Sequence, residues 1–331
     1  MIPNPPRFKP IACAIAAMLL AAAPAFAVNC ETQAQMPEAE RADLLAAARS
    51  LASMVQSGDA AAVEQHTIPS VRSQFTGIAN SIRQTAPAIT RATIAVSALY
   101  LLDASDIAAA QPETQFFCEA ANSSIHVEVG IPQLPKGKYA LALVHATGVA
   151  QPQQFALLLQ RTDAWQLAGF FVKPMLVAGH DGVWYWTKAR QFNGQGQKWD
   201  AYFYYTVADY LATPADFLDS SNLDKLRAEE AAAKPAGLPG AQPMVLTANG
   251  QSFPVVDLHT DGSLGGLDLV IRFTAADIGD PVASRARNIQ VMNAMLGLHP
   301  ELRQGFHGLW VFAEAKGQQP FGIELPMSEI H

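Results

Sequence analysis

"GVWYWTKARQFNGQGQKWDAYFYYTVADYLATP", residues 182–214, carries three of the chain's five tryptophans and five of its seven tyrosines. Either these rings form a binding surface or they are the core of a helical pair. The break "NGQGQ" at 193–197 separates two runs of helical length. Small residues fall at Ala189, Ala201 and Ala208, and large ones at Tyr185, Phe192 and Tyr205. Positions that recur at three and four along a helix more often serve packing than recognition. Most of these aromatics are therefore expected in a core. Trp184, Trp186, Trp199, Tyr202 and Tyr204 exceed what that pattern needs. They either pack between domains or line a protein-binding groove, since interfaces favour aromatics.

The same small and large positions resemble one tetratricopeptide (TPR) unit, a two-helix hairpin of thirty-four residues. Counted from Gly182, the three small positions and three large ones match, while Thr213 stands where the motif places a proline and Pro214 follows it. One such unit cannot bury both of its faces, and no second copy follows. A helix through "LDKLRAEEAAAK", launched by "TPAD" at Thr213 and "SNLD" at Ser221, is expected to cover one side. Another domain or a partner must cover the other.

Upstream, Pro37, Glu38 and Glu40 suit a helix start. Leu44, Ala48, Leu51 and Val55 continue at helical spacing to Gly58, where Asp59 caps the next turn. Beyond Pro69, Val71, Phe75, Ile78 and Ile82 repeat the spacing. The period then changes to two. "TIAVSALYLLD", "QFFCEA", "IHVEVGI", "YALALVHATG", "QFALLLQR" and "WQLAGFFVKP" read as successive strands of an antiparallel meander. Helices followed by a curved sheet give an α+β class.

With "MVQSGDAAAVEQHTIPSVRSQF" between its helices and the closing hairpin "LLLQRTDAWQLAGFFVKP", this segment resembles an NTF2-like domain. The resemblance implies a bent sheet wrapped round a long helix to make a cone. Such cones serve as small enzymes, ligand binders or scaffolds, and fold alone does not choose among them. Enzymatic relatives place Asp and His inside the cone. Here His126 and His145 are the pocket candidates, with His66 a third, but no spacing ties them to an acid. One partly buried histidine and two on solvated faces is the simpler expectation.

The first 27 residues have the form of a cleaved leader. Arg7 and Lys9 precede an apolar run from Ile11 to Ala23, and Ala25 and Ala27 flank Phe26. Losing it takes the formal net charge from −7 to −9. Nucleic acid and anionic membrane surfaces both need a positive footprint, so neither is an expected partner. The reading is a periplasmic or secreted protein with no membrane span after cleavage. Cys30 and Cys118 then remain. An oxidising compartment favours a disulfide between them, two unrelated thiols being the alternative.

The expected organisation is a leader over 1–27, an α+β domain over 28–175, and a hairpin with its covering helix over 176–230. An Ala/Pro/Gly linker over 231–243 and a small ββαββ domain over 244–331 complete it. In the last domain Asp280 and Pro281 start a helix that runs to Gly297. Leu267, Leu269, Ile271 and Phe273 alternate with Asp268, Val270 and Arg272 as in a half-buried strand. Asp257, His259 and Asp261 alternate onto one strand face and could begin a metal site, completed by His299 or His307. A plain polar hairpin face is the simpler reading. No nucleophile elbow, P-loop or dinucleotide fingerprint occurs, and no cofactor is expected. The sequence favours a non-enzymatic envelope protein that holds or scaffolds another protein. A small-molecule binder or a lyase/isomerase-type enzyme using the cone is the alternative.

Overall fold

The computed structural model describes residues 28–119 and 126–331. The predicted leader lies outside them. Among the described residues the chain is α+β, with three sheets and helices on their faces.

After β1 (Asn29–Thr32), the chain enters α1 (Glu38–Ser57), the short α2 (Ala60–Gln65) and α3 (Pro69–Arg72), and α4 (Thr76–Ile89). The stop and start signals act as expected. Gly58 ends α1 at φ 74°, and the Asp59 side chain accepts from Ala62 N–H to cap α2. Strands β2 (Thr93–Ala104), β3 (Glu113–Glu119), β4 (His126–Pro132), β5 (Gly137–Thr147), β6 (Gln153–Arg161) and β7 (Trp165–Pro174) follow.

They do not form one continuous meander. The first sheet runs β1-β2-β5-β6-β7, and β3 and β4 leave it to form a second sheet. Their third strand is β8 (Leu218–Ser220), a short strand between the two helix-launching motifs. The disulfide Cys30–Cys118 joins β1 of the first sheet to β3 of the second.

The first sheet is buried on both faces. Leu44, Leu51 and Val55 of α1, with Ile82 and Ile89 of α4, cover Ala140, Ala142, Leu157 and Leu159. The opposite face presents Leu102, Leu141, Ala156 and Leu158 to a second, larger core. This explains why "FALLL" in β6 lacks alternation: a strand covered on both sides reads as a continuous apolar run.

That larger core also holds the aromatic hairpin, α5 (Gly182–Gly194) and α6 (Lys198–Ala212), and its covering helix α7 (Ser221–Ala233). Asp181 caps α5 by accepting from Trp184 N–H. Ser220, one residue before the predicted position, caps α7.

The C-terminal sheet has five strands rather than four. Its order is β13-β12-β11-β10-β9, with β9 (Met244–Ala248), β10 (Gln251–Asp261), β11 (Asp268–Thr274), β12 (Gly308–Glu314) and β13 (Phe321–Pro326). The extra strand β9 pairs with β10 through the Asn249-Gly250 turn. Helix α8 (Pro281–Leu298) and the turn α9 (Leu302–Gly305) cross from β11 to its parallel neighbour β12. Phe273, Val311, Met292 and Met295 face the larger core. Strand β11 is not half-buried as expected, because Asp268 and Val270 are sealed as well. It lies between β10 and β12, so side chains of both neighbours cover its outer face.

Candidate functional site

The aromatic hairpin places the walls of a cleft. After β7 the chain makes a tight turn in which Val177 and His180 exchange backbone hydrogen bonds of 3.0 Å. Ala178 (φ 45°) and Gly179 (φ 81°) sit between them. Two successive left-handed residues are the mark of a mirror-image turn. Trp184 stacks on His180 at 3.6 Å and 4°, and the Tyr185 hydroxyl donates to Val177 O at 3.0 Å. On the far side the β10–β11 turn closes in: a Cβ on Gly262 would lie 2.6 Å from Val177 Cγ1, so this approach requires glycine. Gln154 Nε2 donates to Leu211 O at 2.7 Å and joins β6 to the end of α6.

The space enclosed is about 660 Å³, with one wall from each of the three segments. Gln151 and Gln153 line it from the β5–β6 turn and the start of β6, Thr206 and Tyr210 from α6, and Thr260 and Asp261 from β10. Its chemistry is hydroxyl, carboxamide and backbone, interleaved with Leu176, Val177 and Val207. Asp261 Oδ1 is already engaged, accepting from Ser263 N–H at 2.7 Å. Tyr210 stands at the mouth, 45% exposed, with Lys173 Nζ 5.4 Å from its ring centroid. Desolvation raises the Tyr210 hydroxyl above its ordinary value, so it is a neutral donor at neutral pH.

The five surplus aromatics do not form one exposed stripe. Trp199 and Tyr204 are buried within the chain's own core, which corrects their reading as a groove. Trp199 lies 4.0 Å from the His299 ring, and the Tyr204 hydroxyl donates to Gly305 O at 2.5 Å. Both hold the hairpin against the C-terminal segment. Trp184 and Trp186 are half-buried; Trp186 Nε1 donates to Glu229 of α7 at 2.8 Å. Tyr202 is half-buried beside Phe203 and lines a second, smaller cavity with Lys234 and Asp257.

The histidines are scattered. His126 is on β4 of the second sheet, 3.3 Å from Glu128, and His145 is on β5 of the first. Burial lowers the pKa of His145, whose Nε2 is 3.4 Å from Ser97 Oγ. His66 Nδ1 donates to Ala62 O at the end of α2. Different sheets therefore carry the two pocket candidates, and the structure does not bring them together.

Asp257, His259 and Asp261 do share the outer face of β10, but they do not converge. His259 Nδ1 lies 2.6 Å from Asp257, and Asp261 is taken by the turn. Asp257 also lies 3.8 Å from the Arg272 guanidinium, which stands where an ion would have to sit. His299 is also elsewhere, beside Glu301 at 3.6 Å, its pKa lowered chiefly by burial. His307 meets different acids, Asp268 and Glu324, with ligand atoms within 4.8 Å of one another. Burial, then the Asp268 charge, raises the pKa of Glu324.

Sequence reasoning missed Tyr210, Thr206 and the cleft, because its lining comes from loop and helix positions far apart in the chain. It also missed Asp200, whose fully buried carboxyl carries no hydrogen-bond partner.

Compared with protein-family models, curated proteins and solved structures, the chain matches none.

Proposed function

We propose that this is a non-catalytic holding protein of a periplasmic or extracellular compartment, whose cleft grips an extended, uncharged segment of a partner protein. The observation that carries this reading is the cleft's construction from three segments, each pinned by the aromatic hairpin or its neighbours. Sites at the junction of packed units, with apolar walls and a few placed polar groups, are where ligands are most often held. The lining offers paired donors and acceptors for a backbone and apolar ground for side chains. The disulfide suits an oxidising compartment. No helix of the described residues is long and apolar enough to cross a membrane.

In this reading residues 28–175 are an NTF2-like scaffold. Helices α1 and α4 against one face of its sheet support that assignment. Residues 182–214 are a TPR-like hairpin whose aromatics clamp the neighbouring segments instead of gripping a partner directly. The position of Ala189, Ala201 and Ala208 in the buried interior supports it.

Native mass spectrometry of the mature protein, purified from its own compartment, tests the proposal. We expect a non-covalent peptide or protein adduct that Ala150→Trp removes. Ala150 is an exposed rim residue, so that change obstructs the cleft without disturbing the core. A bare chain, or an adduct that Ala150→Trp leaves in place, contradicts the reading. A small-molecule mass lost in Ala150→Trp would keep the cleft and replace the occupant.

A further inference from the structure

The outer face of the C-terminal sheet holds an arrangement that the cleft does not use. Asp268 opens β11 and pairs with Gly308 of β12, which pairs in turn with Pro326 of β13. Glu324 is two residues before Pro326, on the same face. Strands β11 and β13 flank β12, and strands two apart in a sheet are separated by roughly 9.6 Å. Their side chains meet only if the strand between them contributes none. Gly308 provides that gap: a Cβ there would lie 2.6 Å from Glu324 Oε1 and 3.0 Å from Asp268 Oδ1. The two carboxylates thus converge over one glycine.

His307, the residue before that glycine, completes the group. Its Nδ1 lies 3.0 Å from Asp268 Oδ1 and 4.0 Å from Glu324 Oε1. Donor atoms on a tetrahedral zinc, bonded at about 2.0–2.1 Å, are separated by roughly 3.3 Å. The observed separations straddle that value. Asp268 is fully buried, yet its Oδ2 has no hydrogen-bond partner, and neither has the buried Glu324 Oε1. Buried polar atoms are nearly always satisfied, and an unmodified pair of close carboxylates repels. Among the described residues no Lys or Arg forms an ion pair with either acid, and His307 is the side chain that meets both.

The geometry points to a divalent transition-metal site, zinc by preference, formed by Asp268, His307 and Glu324. The two carboxylates balance the ion's charge, and the imidazole nitrogen favours zinc over magnesium or calcium, which prefer all-oxygen ligands. His307 is half-exposed and leaves a route for the ion and for a water as fourth ligand.

Calorimetric titration of the untagged, chelator-stripped mature protein with zinc chloride, checked by elemental analysis after dialysis, tests this. We expect saturable binding of one zinc per chain. His307→Gln and Glu324→Gln should each weaken it tenfold or more. His259→Gln, which alters the neighbouring Asp257–His259 pair, should leave it unchanged. Circular dichroism checks that each variant is folded, and both ligand variants alter side chains with some exposure. Absence of one-to-one binding would overturn the assignment. So would folded His307→Gln and Glu324→Gln that both bind like the unaltered chain, or His259→Gln losing the ion.

Discussion

Asp200 lies on the first turn of α6, under Gly305, and both of its carboxyl oxygens are buried without a partner. Burial, reinforced by the charge of Glu301, raises its pKa from 3.8 to about 7. Between those values the folded chain keeps a proton that the unfolded chain releases. Stability therefore falls as pH rises through this window and levels off above about 7. The loss is on the order of 2–4 kcal/mol. Asp200→Asn should flatten this dependence, as urea unfolding at pH 5, 6, 7 and 8 would show. An unaltered slope in the variant would assign the pH dependence to other groups. The sequence offers no sign of this role: Asp200 reads as an ordinary acid in the first turn of a helix, favoured there by the helix dipole. Its burial is imposed by α9 and Gly305, a hundred residues downstream. Capping residues were legible by contrast, because Asp59 and Asp280 act on backbone within three residues of themselves.

Helices α5, α6 and α7 form a unit held at one corner by Glu229. Arg190 donates to both its oxygens at 2.7 Å, Trp186 adds a bond of 2.8 Å, and the guanidinium lies 4.4 Å from the Trp186 ring. These contacts hold the Glu229 carboxyl below its usual range, the Arg190 bond contributing most. A double-mutant cycle on Arg190→Ala and Glu229→Ala should give a coupling of about 1 kcal/mol, since the pair is bidentate but part-exposed. Coupling near zero would mean that this pair adds nothing to the hold that Leu223, Leu226 and the Arg227–Asp209 pair have on α7. At this scale the sequence was most readable where periodicity is local. Both hairpin helices and α8 stand where their spacing and caps put them. The separate β3-β4-β8 sheet was not readable, because "IHVEVGI" alternates equally well in either sheet. Nor was the Asp268–His307–Glu324 group, which depends on a glycine between two strands. The spacing of Asp257, His259 and Asp261 is visible in one strand, but the Arg272 guanidinium beside Asp257 and the turn that engages Asp261 are not.

Across the whole molecule one large core runs from the first sheet through the aromatic hairpin to the C-terminal sheet. The Cys30–Cys118 bridge closes a loop of 88 residues. Cys30→Ser with Cys118→Ser should lower unfolding stability by about 2–4 kcal/mol. Denaturant titration with intact and double-variant protein measures it, and no difference would mean the sheets hold together without the bridge. The rings at 182–214 were legible as core, but what their packing creates was not. A cleft assembled from Gln153, Tyr210 and Thr260 has no signature along the chain. Photo-crosslinking in the producing cell reads whether a partner occupies it. A photoreactive phenylalanine placed at Tyr210, at the cleft mouth, is compared with one at Val183, which is 71% exposed on α5 and outside the cleft. A discrete protein adduct is expected from position 210 that Ala150→Trp abolishes, with none from position 183. The same adducts from both positions, or none from 210, would contradict that occupancy.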